Sequence, residues 1–335
     1  MINKYYIKIY LFLLILIIIM LLFVICVITN NLYSNYPILL NTHKSYDKNV
    51  EIVIARYNES LSWTLDYPFN QFKYIVYNKN PDNNNYEKKY VIKNEDLKNH
   101  GKCDHTYLYH IVNKYNNLTD VTIFLPGCID DFNFKYQKAK LLLEYILYYQ
   151  SSFFITDYYS NDGLINEFYY FKVDNYKSMS NSNLSKNNDF EFRKSKIRPF
   201  GEWFKKNLNN DSHNISLFGI FSIDKRDVYK YTNNKYYKLM KSLECDKCVN
   251  DELSHYFEKS WESIFYPLKY TYIVPYTNTF STLLIKAYSL SSQYYKDDYN
   301  VDLSASPITG PILWNTIYLS NKMTYSYLKV INNNN

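Results

Sequence analysis

Short apolar runs separated by helix-patterned segments mark the chain after residue 50. The runs IVIA (52–55), FKYIVYN (72–78) and DVTIFLPG (120–127) are bounded by polar or turn-forming residues, which is typical of buried strands. In HTYLYHIVNKY (105–115) apolar residues recur at i, i+3, i+4 and i+7, one face of a helix, with Asp104 as its predicted N-cap. This alternation predicts an α/β domain with parallel strands and crossover connections.

The second half of the chain continues the pattern. KYQKAKLLLEYILYY (135–149) predicts a helix, and SLFGIFSIDKRDVYKY (216–231) predicts a strand that turns into a helix at Asp224. DELSHYFEKSWESIFYP (251–267) predicts a helix whose one face carries Leu253, Phe257, Trp261 and Ile264.

The N-terminal segment IYLFLLILIIIMLLFVICVIT has no charge and, at roughly 21 residues, is long enough to cross a bilayer core as a helix. Lys4 and Lys8 precede it and the next charge is Lys44, so the N-terminus is predicted to be cytoplasmic and the bulk of the chain lumenal or extracellular. A cleaved signal peptide would have a shorter apolar region and a small-residue cleavage site, which CVITNNLYSNY lacks. The sequence therefore predicts a single-pass signal-anchor in the lipid bilayer.

These patterns divide the chain into an anchor, a stem and one domain, in which the polar, Asn- and Ser-rich stretch 174–196 is a loop. The predicted segments are a cytoplasmic tail (1–8), a transmembrane anchor (9–29), a stem (30–48), the α/β domain (49–275) and a C-terminal helical extension with a frayed tail (276–335).

Composition and charge narrow the choice of partners. The 40 Tyr of the chain, and its abundant Asn, Lys and Ile, match A/T-rich codons, so single residues of these types carry little functional signal. The net charge of +6 includes two lysines of the N-terminal tail, and no Arg/Lys stripe is present. We therefore expect no nucleic acid partner.

Cysteines and glycosylation sequons agree with a lumenal location. Cys103, Cys128, Cys245 and Cys248 follow the anchor, and the single C-x-x-C at 245–248 predicts a local disulfide or free thiols, because zinc would need two more ligands. Two of the sequons are poorly placed for glycosylation: Asn58 is in the suspected site, and Asn117 is between a predicted helix and a predicted strand. The five Asn-x-Ser/Thr sequons are at Asn58, Asn117, Asn183, Asn210 and Asn214.

Four ordered motifs carry a family resemblance. IARYNESLSW, HTYLYHIVNKYNNLTDVTIFLPG, FSIDKRDVYKYTNNKYYKLMKSL and HYFEKSWESIF together resemble a family of unknown function found in fungi, some bacteria and giant DNA viruses. The layout of that family is similar to that of GT-A glycosyltransferases, whose first strand also commonly ends in YNE and binds the nucleotide part of a sugar donor. The resemblance implies a GT-A-like (Rossmann-like) mixed sheet flanked by helices, preceded by one transmembrane helix.

The activity that the resemblance implies is transfer of a sugar from a nucleotide donor to a glycan or protein acceptor. The alternative is a catalytically silent, membrane-anchored glycoprotein with a structural or binding role on a virion or host membrane. No nucleophile elbow, P-loop or H-E-x-x-H motif is present, which leaves hydrolase and NTPase functions without support.

The strand that ends in ARYNE is the predicted nucleotide site. Arg56, Asn58 and Glu59 are expected to bind uracil or ribose by hydrogen bonds, although Arg56 and Glu59 pairing with each other explains the same residues. Gly101 precedes a predicted helix and would bring a backbone N–H close to phosphate, although a loop glycine before a helix is also ordinary.

A divalent cation is the expected cofactor. Most GT-A sites neutralise the donor diphosphate with Mn²⁺ or Mg²⁺ held by an Asp-x-Asp motif, because hard cations prefer carboxylate oxygens. The chain has no Asp-x-Asp, and its nearest substitutes are Asp130 and Asp131 after the 120–127 strand, followed by Asp157. Adjacent carboxylates in an extended segment tend to point apart, so a simple polar turn is the alternative.

Glu258 is the predicted catalytic base. An inverting transferase needs a carboxylate to deprotonate the acceptor hydroxyl, and Glu258 occupies that position in the family-like HYFEKSW segment. Glu258 and Glu262 are spaced i, i+4 opposite the apolar row of their helix, so a solvated helix face is the competing explanation.

Overall fold

The computed structural model describes residues 48–174, 192–245 and 251–276. The predicted cytoplasmic tail, the anchor, the stem up to Lys48 and the extension after Tyr276 lie outside these residues. Within the described ranges no helix has the length and apolar character needed to cross a bilayer.

The described residues contain nine strands and seven α-helices. The strands are β1 (Val50–Arg56), β2 (Tyr74–Asn78), β3 (Val91–Asp96), β4 (Val121–Pro126), β5 (Ser152–Thr156), β6 (Tyr158–Tyr159), β7 (Asn214–Ile215), β8 (Phe221–Asp224) and β9 (Thr271–Pro275). The helices are α1 (Lys102–Lys114), α2 (Asn133–Tyr149), α3 (Leu164–Glu167), α4 (Phe200–Asn207), α5 (Lys225–Val228), α6 (Asn233–Leu243) and α7 (Glu252–Phe265). The prediction of a mixed α/β domain is confirmed.

The central sheet has the strand order β3-β2-β1-β4-β8, in which the first four strands are parallel and β8 runs antiparallel to β4. Val53 in the middle strand lies opposite Ile75 on one side and Phe124 on the other. The chain leaves β1 towards β2 and β3 and then crosses back to β4. This reversal between β1 and β4 is a topological switch point, where open α/β sheets bind ligands at the carboxyl ends of their strands.

Side chains of the central strands alternate between two cores. Val53 and Phe124 face a core formed with α1, α4, α6 and α7, whereas Ile54 and Leu125 face a core formed with α2. Burial on both faces explains why β1 and β4 are continuous apolar runs. Two smaller pairings accompany the central sheet: β5 with β9, which are parallel, and β6 with β7, which are antiparallel.

Strand β3 is absent from the sequence-based prediction. Its sequence, VIKNED, lies at the edge of the sheet and is mostly exposed. An edge strand with polar residues on both faces has no apolar run, so hydrophobic periodicity gives it no signal.

Helix α1 begins three residues earlier than predicted. It starts at Lys102, with Gly101 in the left-handed conformation at the N-cap (φ +46°), so Asp104 is not the N-cap. Asp104 instead lies in the first turn, where its buried carboxyl group accepts a hydrogen bond from the indole N–H of Trp261 (3.0 Å). The tertiary partner on α7 therefore overrides the capping role that the sequence suggested.

Helix α7 is buried on nearly every side. The predicted apolar row is confirmed as core, but the expected solvated face is wrong, because every residue of α7 except Glu258 is buried. Glu262 illustrates the reason: its carboxylate accepts the backbone N–H groups of His213 (3.2 Å) and Asn214 (3.1 Å) from the β7 segment that covers this side of the helix.

Glu252, the first residue of α7, joins the two ends of the predicted 174–196 loop. Its carboxylate accepts the backbone N–H of Val173 (2.8 Å) and that of Ser195 (2.8 Å). Arg198 pairs with the same carboxylate (3.0 Å), and the hydroxyl of Tyr256 donates to it (2.8 Å). The chain therefore leaves the domain core and returns to it at one buried carboxylate.

Candidate functional site

The predicted site residues of the first strand lie at the carboxyl edge of the sheet. Arg56 ends β1 opposite Asn78, which ends β2, and Ala55 lies opposite Pro126, which ends β4. The segments that follow these three strands therefore meet at one edge, beside the switch point.

Arg56 is fully buried, and its donors are used within this edge. The guanidinium donates to the backbone carbonyl of Glu59 (2.8 Å), to the side-chain oxygen of Asn78 (2.8 Å) and to the carbonyl of Asn83 (2.6 Å). The ring of Tyr86 lies 4.2 Å from the guanidinium carbon, a cation–π contact. Arg56 thus fastens the segment after β2 to the segment after β1.

Asn58 and Glu59 complete the same arrangement. The side-chain oxygen of Asn58 accepts from the amide groups of Asn80 (2.7 Å) and Asn83 (3.1 Å). Glu59 is buried, and its carboxylate accepts the backbone N–H groups of Tyr57 (2.6 Å) and Asn58 (3.0 Å). We define residues 56–59 as the RYNE turn; its polar groups largely bind one another and the segment after β2.

Gly127 brings the end of β4 against the RYNE turn. A Cβ atom at this position would lie 2.9 Å from a carboxylate oxygen of Glu59 and 3.2 Å from the carbonyl of Ala55. Only glycine fits this approach without a shift of its neighbours, and the Gly127 N–H donates to that same carbonyl of Ala55 (2.8 Å). Trp63, at the end of the IARYNESLSW motif, donates its indole N–H to the carbonyl of Gly127 (3.0 Å).

Asp130 and Asp131 lie in a 3-10 turn, Ile129–Asp131, directly after Gly127 and Cys128. Asp130 is exposed as a residue, but partial desolvation of its carboxyl group and the adjacent Asp131 charge raise its pKa. Among the described residues no group of three or more His, Cys, Asp or Glu side chains is arranged to hold a metal ion. Asp130 and Asp131 alone could hold only a cation that takes its other ligands from phosphate and water.

Gly101 lies in a backbone turn that surrounds a buried ammonium group. The Lys79 ammonium, just after β2, donates to the carbonyls of His100 and Lys102, and burial lowers the pKa of Lys79 to about 8. A Cβ at Gly101 would meet Leu243 of α6 at 2.8 Å, so close packing as well as the positive φ requires glycine there.

Glu258 occupies the one opening in α7. It is the partly exposed residue of an otherwise buried helix, and its carboxylate accepts the backbone N–H of Phe218 (3.0 Å). Phe218 precedes β8, whose Phe221 pairs with Phe124 near the end of β4, so Glu258 is at the carboxyl edge of the sheet. A carboxylate in this position can accept a proton from a bound hydroxyl group.

The surroundings of Glu258 are rich in ionisable groups. Burial raises the pKa of Asp104 well above its usual range, and the nearby charge of Glu258 raises it further. The thiols of Cys103 and Cys128 are free, and burial raises the pKa of both. Burial therefore disfavours the charged forms of Asp104 and of both thiols in this part of the molecule.

Two site features were missed by the sequence analysis. The buried ammonium of Lys138 on α2 binds the carboxylate of Asp157 (2.5 Å) and the carbonyl of Leu217 (3.0 Å), and Asp157 in turn accepts the Leu217 N–H (2.8 Å). The second feature is a group of three phenylalanines beside Glu258. By sequence pattern Lys138 belongs to an exposed helix face and the phenylalanines belong to the core. The sequence therefore carries no signal that would distinguish them from ordinary surface and core residues.

The remaining cysteines and sequons are placed as follows. Cys245 is disulfide-bonded, and Cys248, the partner expected for a local disulfide, lies outside the described residues. Asn117 is exposed at the end of a 3-10 turn, Asn210 is half-buried, and Asn214 in β7 is 7 % exposed. Asn183 lies outside the described residues.

Comparisons with known proteins give no relative for this chain. No family model matches it, and neither the curated proteins nor the solved structures include a significant match.

Proposed function

We propose that the chain is a type II membrane-anchored, GT-A-like glycosyltransferase that moves a sugar from a nucleotide donor to an acceptor hydroxyl in a lumenal or extracellular compartment. The observation that carries the proposal is Glu258, a partly exposed carboxylate on an otherwise buried helix, at the carboxyl edge of a sheet with a topological switch point. The fold supports the proposal through its central sheet, in which four parallel strands are followed by an antiparallel fifth.

In this proposal the donor lies across the ends of β1 and β4. Asn58, which is partly exposed like Tyr57, faces the nucleotide, while Arg56 and Glu59 hold the turn in shape. Gly101 places the first turn of α1 near the phosphates. Asp130 and Asp131 would hold a Mn²⁺ or Mg²⁺ ion, which supplies positive charge to the leaving diphosphate.

Glu258 accepts the proton of the acceptor hydroxyl as that oxygen attacks the donor sugar. The backbone N–H of Phe218 holds the carboxylate in place, so the base is fixed before substrate arrives.

A second candidate function is the silent, membrane-anchored glycoprotein. The observation that favours it is the RYNE turn, whose Arg56, Asn58 and Glu59 hydrogen-bond mainly to the protein itself. A fold that keeps this turn as internal scaffolding needs no ligand to satisfy these groups.

Calorimetric titration of the full chain in lipid nanodiscs with a panel of nucleoside diphosphates, with and without Mn²⁺, separates the two functions. The transferase predicts Mn²⁺-dependent binding of one nucleotide, with affinity reduced about tenfold or more by Asp130→Ala together with Asp131→Ala. Asp162→Ala, which removes an exposed aspartate elsewhere, is the matched control. Absence of nucleotide binding by a folded chain would establish the silent glycoprotein instead.

A further inference from the structure

Three phenylalanine rings form a half-buried surface beside Glu258, here named the Phe platform. Phe132 and Phe134, at the start of α2, are stacked with ring centres 5.4 Å apart and an interplanar angle of 16°. The ring centres of Phe134 and Phe218 are 5.1 Å apart. All three side chains are partly exposed, whereas Phe124 and Phe221 in the neighbouring core are fully buried.

Phe218 is held in an unfavourable backbone conformation. Its φ of +67° is in the left-handed region, which non-glycine residues rarely adopt. Hydrogen bonds from two sides fix it there: Glu258 accepts the N–H of Phe218, and Asp157 accepts the N–H of the preceding Leu217. The hydroxyl of Tyr107 donates to the carbonyl of Gly219, on the other side (3.0 Å). Strained residues that are held in this way concentrate at ligand sites.

Charged groups border the Phe platform. The Lys135 ammonium lies 5.2 Å from the ring centre of Phe132 and 5.6 Å from that of Phe218. The Glu258 carboxylate lies against the backbone of Phe218. An apolar surface with a few polar groups converging on it is the usual composition of a small-molecule site.

The geometry points to a hexopyranose unit of a glycan as the occupant of the Phe platform, which makes the platform an acceptor subsite. A pyranose has an apolar C–H face that packs on aromatic rings and hydroxyl groups at its rim that bind carboxylates and ammonium groups. This inference rests on the proposed function, because it is the neighbouring base, Glu258, that assigns the platform to the acceptor and not to the donor nucleotide. It selects a glycan over a protein as the acceptor.

Saturation-transfer NMR on the full chain in nanodiscs tests this assignment, with a panel of neutral and carboxylate-bearing hexopyranosides as ligands, in the presence of the nucleotide that binds in calorimetry. We expect transfer from protein to the ring C–H protons of at least one sugar. Phe132→Ala should weaken the affinity for that sugar about tenfold. Phe132→Trp should restore the affinity, since either aromatic ring offers a stacking face. The affinity for the nucleotide should change less than twofold.

Tyr148→Ala is the matched control, because it removes an exposed aromatic ring from the far end of α2. Phe132 is chosen over Phe218 because Phe218 also packs against both cores. A chain that binds nucleotide but transfers saturation to no sugar would overturn the acceptor subsite and leave the proposed function standing. Equal sugar affinity for wild type and Phe132→Ala, or weakened nucleotide and unchanged sugar binding, would also overturn it. Loss of nucleotide binding in the wild type would count against the proposed function itself.

Discussion

The RYNE turn and the surroundings of Glu258 are two polar regions at one edge of the sheet, and they differ in how their polar groups are used. In the RYNE turn, Arg56 is fully buried and donates to five protein oxygen atoms. Glu258 is partly exposed and accepts one backbone N–H, that of Phe218. The polar groups of the RYNE turn thus stabilise the edge of the sheet, whereas the Glu258 carboxylate is accessible to a ligand.

Glu258→Gln gives the largest expected effect and tests the surroundings of Glu258. The amide retains the shape of the side chain but cannot accept a proton at neutral pH, so sugar transfer should fall about 10²- to 10⁴-fold. Nucleotide affinity and thermal stability should stay close to those of wild type. Glu144→Gln, a half-buried helical glutamate on α2, is the control for a generic amide substitution. Transfer that survives Glu258→Gln would remove Glu258 as the base.

Arg56→Met tests the RYNE turn. The substitution leaves several buried acceptors of the RYNE turn without a donor, and the free energy of unfolding should fall by about 4 kcal/mol in urea titrations. Arg226→Met is the control, because its half-exposed pair with Asp224 should contribute about 1 kcal/mol or less. Equal losses for the two variants would show that the RYNE turn is not a structural unit.

Glu262 sharpens the comparison within one helix, since it lies one turn from Glu258 but is buried. Burial raises the pKa of Glu262 to about 7 in the folded chain, above its ordinary value of 4.5. The folded state therefore binds the proton more tightly than the unfolded state, and this contribution to stability is complete below pH 4.5 and lost as pH rises towards 7. The loss should be about 3 kcal/mol.

Urea titrations between pH 4.5 and 8 measure this effect. Glu262→Gln, which keeps an acceptor for the two backbone N–H groups and does not titrate, should flatten the pH profile. An unchanged profile in Glu262→Gln would mean that another group carries the dependence.

Gly127→Ala gives the smallest of these effects and tests the contact between the RYNE turn and β4. The added methyl group overlaps the Glu59 carboxylate and the Ala55 carbonyl, and stability should fall by about 2 kcal/mol. In the double variant with Glu59→Ala, the two losses should not add, because the carboxylate that meets the methyl group is gone. Additive losses would place the strain elsewhere.

The sequence predicted those parts of the fold whose burial follows from a local pattern. The runs around Ile54 and Phe124 are apolar because both faces of the central strands are covered, and the apolar row of α7 around Trp261 is the core face of that helix. Edge strand β3 carried no such pattern and was missed.

The site was only partly predictable, because burial of polar residues depends on neighbours that are distant in sequence. Glu258 and Glu262 have the same i, i+4 signature, yet the β7 segment covers Glu262 and leaves Glu258 open. Arg56 is buried because Asn78 and Asn83, more than twenty residues away, supply its acceptors. Periodicity gives no information about such partners.

The attachment of the predicted 174–196 loop at Glu252 has a consequence for how this chain can change in evolution. Val173 and Ser195 donate to one carboxylate, so the ends of the intervening segment are fixed at a single point. The conformational entropy of closing a loop grows only with the logarithm of its length, about 0.6 kcal/mol for each doubling. Asp174, Phe192 and Arg193 are held by further contacts with the domain. Insertions and deletions between Asp174 and Phe192 should therefore be nearly neutral for stability, and length variation among related sequences should concentrate there.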